Sequence, residues 1–377
     1  MSILFEPTRI GNFEIKNRFI RSATYYALSD PDGFIGDASL DLMKNLAAND
    51  IGLIITGYAY VLKHGQSFPD MNGIDQDDHI IGFKRMTKAV HDLDGKIVMQ
   101  IAHCGSASET AAAGEGKFLS VSPVQKWPDG ARKPTEMTEA DIEEIIDAFG
   151  QAARRVQEAG FDGVQIHGAH GYLGTQFLSP ATNKRTDKWG GSLENRTRFL
   201  VEVTRAMKKQ VDEDFPIMIK LGCRDYIAGD NGLTIEDGAE AAKILEKEGI
   251  CHIEVSHGVV DKTYRKQLSD ITSSEKEAFL VPDGKAVREK TTVPLSLVAG
   301  MRSLPVMEGI VKSGVSDHIS ICRPFIREPD LVKNWKNGSD KSADCISCRG
   351  CFNIDEVGNK AVYCRQLEIL AKKHESA

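Results

Sequence analysis

The stretch His167-Gly-Ala-His170-Gly-Tyr172 brings two imidazoles and a phenol within six residues of one another. Side chains of this kind can donate several hydrogen bonds to one oxygen. Neutral imidazoles that hold a carbonyl or anionic oxygen draw electron density out of a conjugated carbon–carbon double bond. A hydride can then add at the β-carbon while Tyr172 protonates the α-carbon. A metal site and a structural hydrogen-bond cluster are the alternative readings of the same residues.

A second group with chemical potential lies near the end of the chain, where Cys345, Cys348, Cys351 and Cys364 follow the pattern C-x2-C-x2-C-x12-C. Three thiolates at two-residue gaps can wrap one face of an iron–sulfur cubane, with a distant fourth completing it. Zinc ribbons more often use two separated pairs. The tail thus reads as a [4Fe-4S] site, with zinc and unliganded thiols as the other options. The remaining cysteines, Cys104, Cys223, Cys251 and Cys322, are scattered.

Both groups need a scaffold, and the chain supplies eight short apolar runs: 19–23, 52–56, 96–102, 162–167, 216–221, 251–256, 294–300 and 317–323. Amphipathic segments separate them. The clearest runs from Thr138 to Gly160, with Ile142, Ile145, Ile146, Phe149, Ala153 and Val156 at helical spacing. Thr138 and Asp141 form a capping-box pattern, and Gly160 is a stop signal. Continuous apolar strands alternating with helices imply a parallel sheet covered on its outer face. Eight such units point to an α/β fold closed as a single (β/α)8 TIM barrel, with an open doubly wound sheet as the alternative. The expected boundaries are a barrel over 1–337 and a short cysteine-rich extension over 338–377. His167 stands at the end of the fourth run, where barrel enzymes place their active sites. Long connections at 104–137, 168–191 and 257–277 are positioned to line or cover that site.

Of the 377 residues, 47 are basic and 54 acidic, a net charge of −7 that provides no general attraction to nucleic acid or anionic lipid. The opening MSILFEPTRI has no basic stretch followed by an apolar core, and no apolar run approaches the roughly 20 residues of a membrane span. A soluble cytoplasmic protein with no nucleic-acid or membrane partner is the expectation. The expected partners are a small-molecule substrate, an electron-transfer protein and further copies of the chain.

Over about 1–335 the sequence resembles the Old Yellow Enzyme family of NAD(P)H:flavin oxidoreductases. The stretch that carries most of this is HGAHGYLGTQFLSPATNKRTDKWGGSLENRTRFL at 167–200. IKNRFIRSAT at 15–24, GLIITGYAYV at 52–61, Gln100 with His103, IKLGCRDY at 219–226, LVAGMRS at 297–303 and ICRPFIREPDL at 321–331 support it. The resemblance implies FMN in the barrel mouth and NADH or NADPH as electron donor. It places Ser22, Ala23 and Thr24 along the flavin, Thr24 beside its redox-active edge, and adds Gly57 to the cofactor-binding set. Gln100 would bond the pyrimidine edge and Lys220 would stand near N1 and O2. A lysine about 4 Å from charge collecting there is worth roughly 4 kcal/mol at an effective dielectric of 20, or about 85 mV for two electrons.

Gly300, Arg302 and Arg323 fall after the seventh and eighth strands, where barrels favour phosphate. Where the family often has proline this chain has Ala23, and Cys322 replaces a common glycine beside Arg323. The cysteine tail is similar to that of the dienoyl-CoA reductase and trimethylamine dehydrogenase branch. The expected activity is NAD(P)H-dependent reduction of an activated alkene. Alternatives are oxidation of an amine or other reduced substrate with electrons leaving through the cluster, a flavin/iron–sulfur electron relay, and a flavin-free aldolase-like barrel. Tyr25, Tyr58, Trp127 and Tyr264 are candidate pocket walls.

Overall fold

All eight apolar runs form strands, and these close into one parallel barrel. The computed structural model describes residues 2–108, 117–124, 133–261, 264, 269, 271–298, 300–352 and 361–375. The barrel strands are β1 (Phe19–Arg21), β2 (Leu53–Ile55), β3 (Ile97–Ala102), β4 (Gly163–Gly168), β5 (Ile217–Gly222), β6 (His252–Ser256), β7 (Leu295–Leu297) and β8 (His318–Ile321). Each pairs in parallel with the next, and β8 returns to pair with β1. Closure leaves none of these eight barrel strands with a free edge.

A helix follows every strand: α1 (Asp37–Ala47), α2 (His79–His91), α3 (Glu139–Glu158), α4 (Leu193–Lys208), α5 (Ile235–Lys247), α6 (Val281–Arg288), α7 (Leu304–Lys312) and α8 (Leu331–Lys336). In α3 the expected capping box is present, Thr138 and Asp141 each satisfying the other's backbone N–H. Its apolar stripe, Ile142, Ile145, Phe149, Ala153 and Val156, is buried against the sheet. At roughly 1.5–3 kcal/mol for each large side chain removed from water, that stripe outweighs the helix's own modest propensity.

Alternation along the strands divides the core in two. Outward residues such as Ile97, Met99, Ile219, Leu221, Ile253 and Val255 pack beneath the helices. Ile20, Leu53, Ile55, Val98 and Met218 fill the barrel's lower interior. A hairpin of Thr8–Ile10 and Phe13–Ile15 plugs that end with Ile10, Phe13 and Ile15. Above this apolar plug the inward residues turn polar.

The cysteine tail packs back on the barrel. Ala343 is fully buried, the Trp335 indole donates to the Lys341 carbonyl at 2.8 Å, and the Val362 amide donates to the Tyr26 carbonyl at 3.2 Å. A last helix, α9 (Arg365–Glu375), follows. Among the described residues no helix is long and apolar enough to cross a membrane.

Candidate active site

The polar layer above the plug is one connected network. In register, Gln165 on β4 sits beside Gln100 on β3, His167 beside Lys220 on β5, and Lys220 beside Glu254 on β6. Gln100 donates to Gln165 at 2.8 Å, and Gln165 donates to Glu254 at 3.0 Å. The Ser22 hydroxyl donates to the other Glu254 oxygen at 2.6 Å and accepts from Lys220 at 2.7 Å. Lys220 Nζ also lies 3.3 Å from Glu254. Ser22, Gln100 and Lys220, from three distant segments, are thereby brought together. The joining residues, Gln165 and Glu254, were not among the expected site residues. Their signal was a polar side chain two positions before His167 and Ser256, which alternation puts on the inner face.

Around this floor the backbone comes close and bends. A Cβ on Gly57 would stand 2.8 Å from the Thr24 carbonyl and 2.9 Å from the Tyr26 ring, so only glycine lets these segments approach. Thr24 is buried, its hydroxyl donating to the Ser22 carbonyl at 2.9 Å and lying 2.9 Å from Cys322 Sγ. Ala23 is half-buried beside the lower core.

The imidazole–phenol group forms at the carboxyl end of β4. His170 (φ +62°) and Gly171 (φ +75°) take left-handed backbone that turns the chain sharply, a conformation histidine tolerates better than most residues. The turn is pinned where the His170 amide donates to the His257 carbonyl at 3.1 Å and the Leu173 amide to the His103 carbonyl at 3.1 Å. The Tyr172 ring thus comes to 4.8 Å from His167, and the His170 ring to 5.1 Å. His170 Nε2 lies 2.8 Å from Ser256 Oγ, and His257 packs 4.5 Å from the His170 ring.

Tyr58 closes the other side, its hydroxyl 3.2 Å from that of Tyr172. Burial first, and then the neighbouring Tyr172, holds the Tyr58 phenol well above its usual pKa, so it stays protonated. Tyr25 stacks on Tyr58 at 5.8 Å and donates to Asp70. Tyr264 lies outside this group, against Tyr226 at 6.1 Å, and Trp127 falls outside the described residues. Burial keeps His103, just past β3, far below its normal pKa and therefore neutral.

The family model described as NADH:flavin oxidoreductase / NADH oxidase family matches residues 3–342, nearly the whole barrel. The chain belongs to that family. This is the Old Yellow Enzyme family that its motifs resemble, built on a TIM barrel, and FMN is that family's cofactor. It is 34% identical over 365 residues to an NADH oxidase of Thermoanaerobacter brockii, covering 96% of this chain and 55% of that one. It is 33% identical to an NADPH dehydrogenase of a Geobacillus species, covering 87% and 92%. The solved 2-naphthoyl-CoA reductase superposes with a TM-score of 0.87 at 28% identity, over 96% of this chain and 56% of that one. The chain thus spans about half the length of the first of these relatives.

A flavin of this family requires polar groups at the strand ends and close backbone approach, and the mouth offers both in the Gln100–Lys220–Ser22 floor and in Gly57. Of the residues expected to hold phosphate, Gly300 is left-handed (φ +70°). The Arg302 guanidinium donates to the Ala343 carbonyl at 2.7 and 3.1 Å, and Arg323 donates to the Ser347 carbonyl at 3.0 Å. Both arginines are therefore turned toward the tail. Cys345, Cys348, Cys351 and Cys364 line one cleft together with Arg323 and Arg327. Among the described residues no three histidines, cysteines or carboxylates are grouped to hold a single metal ion.

Proposed function

We propose that the chain reduces an alkene conjugated to a carbonyl, at the expense of NADH or NADPH, in the mouth formed by His167, His170, Tyr172 and Tyr58. The observation that carries this reading is the convergence of His167, His170 and Tyr172 at the end of β4, beside the Lys220 floor. Bound there, FMN in its reduced form would supply the hydride. The chain's own residues do the rest. His167 and His170 hold the substrate oxygen and polarise the double bond toward it. Tyr172, half-buried and beside His167, carries the proton for the α-carbon. The aromatic wall of Tyr25 and Tyr58 excludes water from the reacting face.

Ser22, Ala23, Thr24, Gly57, Gln100 and Lys220 would hold the isoalloxazine, and Gly300 the phosphate. Arg302, Cys322 and Arg323 would join the phosphate only if the two arginine side chains swing from the tail carbonyls. The four tail thiols line one cleft, and they would be the ligands of a [4Fe-4S] cluster held there. That cleft, reached from Thr24 through Cys322 and Arg323, favours a second reading in which a reduced substrate is oxidised and a partner protein takes the electrons. Anaerobic titration of the holoprotein separates the two. Bleaching by NADH or NADPH followed by full recovery of the 450 nm band on adding cyclohexenone supports alkene reduction. Recovery only with an electron-carrier protein supports the second.

A further inference from the structure

We infer that Glu254 is a positioning residue of the flavin site: it neutralises Lys220 inside the barrel and fixes the direction of the hydrogen bonds that end on Gln100. The inference rests on FMN seating over Lys220, as proposed above.

Glu254 and Lys220 are both buried, 0% and 2% exposed, and 3.3 Å apart. A lysine alone at the strand ends would present a full positive charge to the reduced cofactor. Beside Glu254 it presents the end of a compact ion pair, whose field falls off much faster with distance. Lys220's influence on the flavin is therefore set by Glu254 as much as by its own position.

The carboxylate also has a directional role, because it only accepts. Ser22 must donate to one of its oxygens, at 2.6 Å, which leaves the hydroxyl lone pair for Lys220 at 2.7 Å. Gln165 must turn its amide nitrogen to the other oxygen, at 3.0 Å, so its carbonyl faces Gln100 and receives that donor at 2.8 Å. Gln100 is thus oriented from two residues away. An amide at position 254 can donate as well as accept, and the one-way order is lost.

The test is the midpoint potential of bound FMN in Glu254→Gln, Lys220→Gln and the double variant, by anaerobic spectroelectrochemistry, with FMN affinity followed by fluorescence. Removing the buried anion raises the potential, and removing the cation lowers it. The double variant returns close to wild type. Glu254→Gln also binds FMN about tenfold more weakly, the worth of one charge-assisted hydrogen bond. Glu254→Asp covers the case in which Glu254→Gln fails to fold: its shorter carboxylate retreats from Lys220, and the potential rises slightly. A potential unmoved in Glu254→Gln, or lowered in Glu254→Asp, while Lys220→Gln lowers it, overturns the inference and leaves the seat of FMN intact. If Lys220→Gln moves neither potential nor affinity, FMN does not sit over Lys220 and the underlying reading fails with it.

Discussion

The hydroxyls of Tyr58 and Tyr172 meet at 3.2 Å across the barrel mouth, with their rings 5.4 Å apart. Tyr58→Phe removes one hydrogen bond from the proposed proton donor and leaves its place intact. A net hydrogen bond is worth about 0.5–1.5 kcal/mol, so proton-limited alkene reduction slows by about two- to tenfold, with substrate affinity nearly unchanged. Single-turnover kinetics in H2O and D2O measure this. A loss in Tyr58→Phe larger than that in Tyr172→Phe would make Tyr58 the donor.

Two histidines lie wholly buried within the barrel, His252 at the start of β6 and His318 at the start of β8, their rings 5.4 Å apart. Burial depresses both imidazoles to a pKa of about 3. The unfolded chain takes up these protons near pH 6.5 and the folded chain does not. Stability is therefore full above pH 6.5 and declines as pH falls toward 3, by about 1.4 kcal/mol per pH unit for each histidine. Urea unfolding from pH 7.5 to 5 reads the slope. His252→Gln flattens it by about one proton, and an unchanged slope would contradict the assignment.

Much of this architecture is legible in the sequence because it is written in apolar runs. Each of the eight runs became a strand, and the helix at 138–160 kept its capping box, since patterns of burial and capping act locally. The His167–His170–Tyr172 group was legible because six residues and one tight turn bring it together. Glu254 and Gln165 were hidden inside runs that read as continuously apolar, and their role appears only when strands far apart in sequence close into a ring. The partner of the Arg302 guanidinium, the Ala343 carbonyl, was not legible for a related reason: it depends on how the tail packs back on the barrel.

Gly57 is a position where a methyl group has nowhere to go, with backbone at 2.8 Å and the Tyr26 ring at 2.9 Å from an added Cβ. Gly57→Ala forces the Thr24 segment to shift. It should cost about 1–3 kcal/mol of stability and weaken FMN binding, as read by thermal unfolding and by flavin retained on gel filtration. Wild-type values for both would show that the approach of these segments is looser than described.

Hydrogen bonds to backbone carbonyls hold the cysteine tail on the barrel, among them Arg302 to Ala343, Arg323 to Ser347 and the Val362 amide to Tyr26. Cys364→Ser should therefore lose most of the iron and acid-labile sulfide of anaerobically purified protein while retaining FMN and the barrel's unfolding midpoint. Equal iron in variant and wild type would remove Cys364 from the ligand set.

In the proposed reaction Tyr172 delivers the proton at a site where His167 and His170 hold the substrate oxygen. This is tested most directly by pre-reducing wild type and Tyr172→Phe anaerobically, mixing each with cyclohexenone, and following flavin reoxidation at 450 nm. Wild type should reoxidise promptly and the variant about 10²–10⁴-fold more slowly, with substrate affinity preserved. Equal rates in the two proteins, or a wild type that no activated alkene reoxidises, would contradict the proposed reaction.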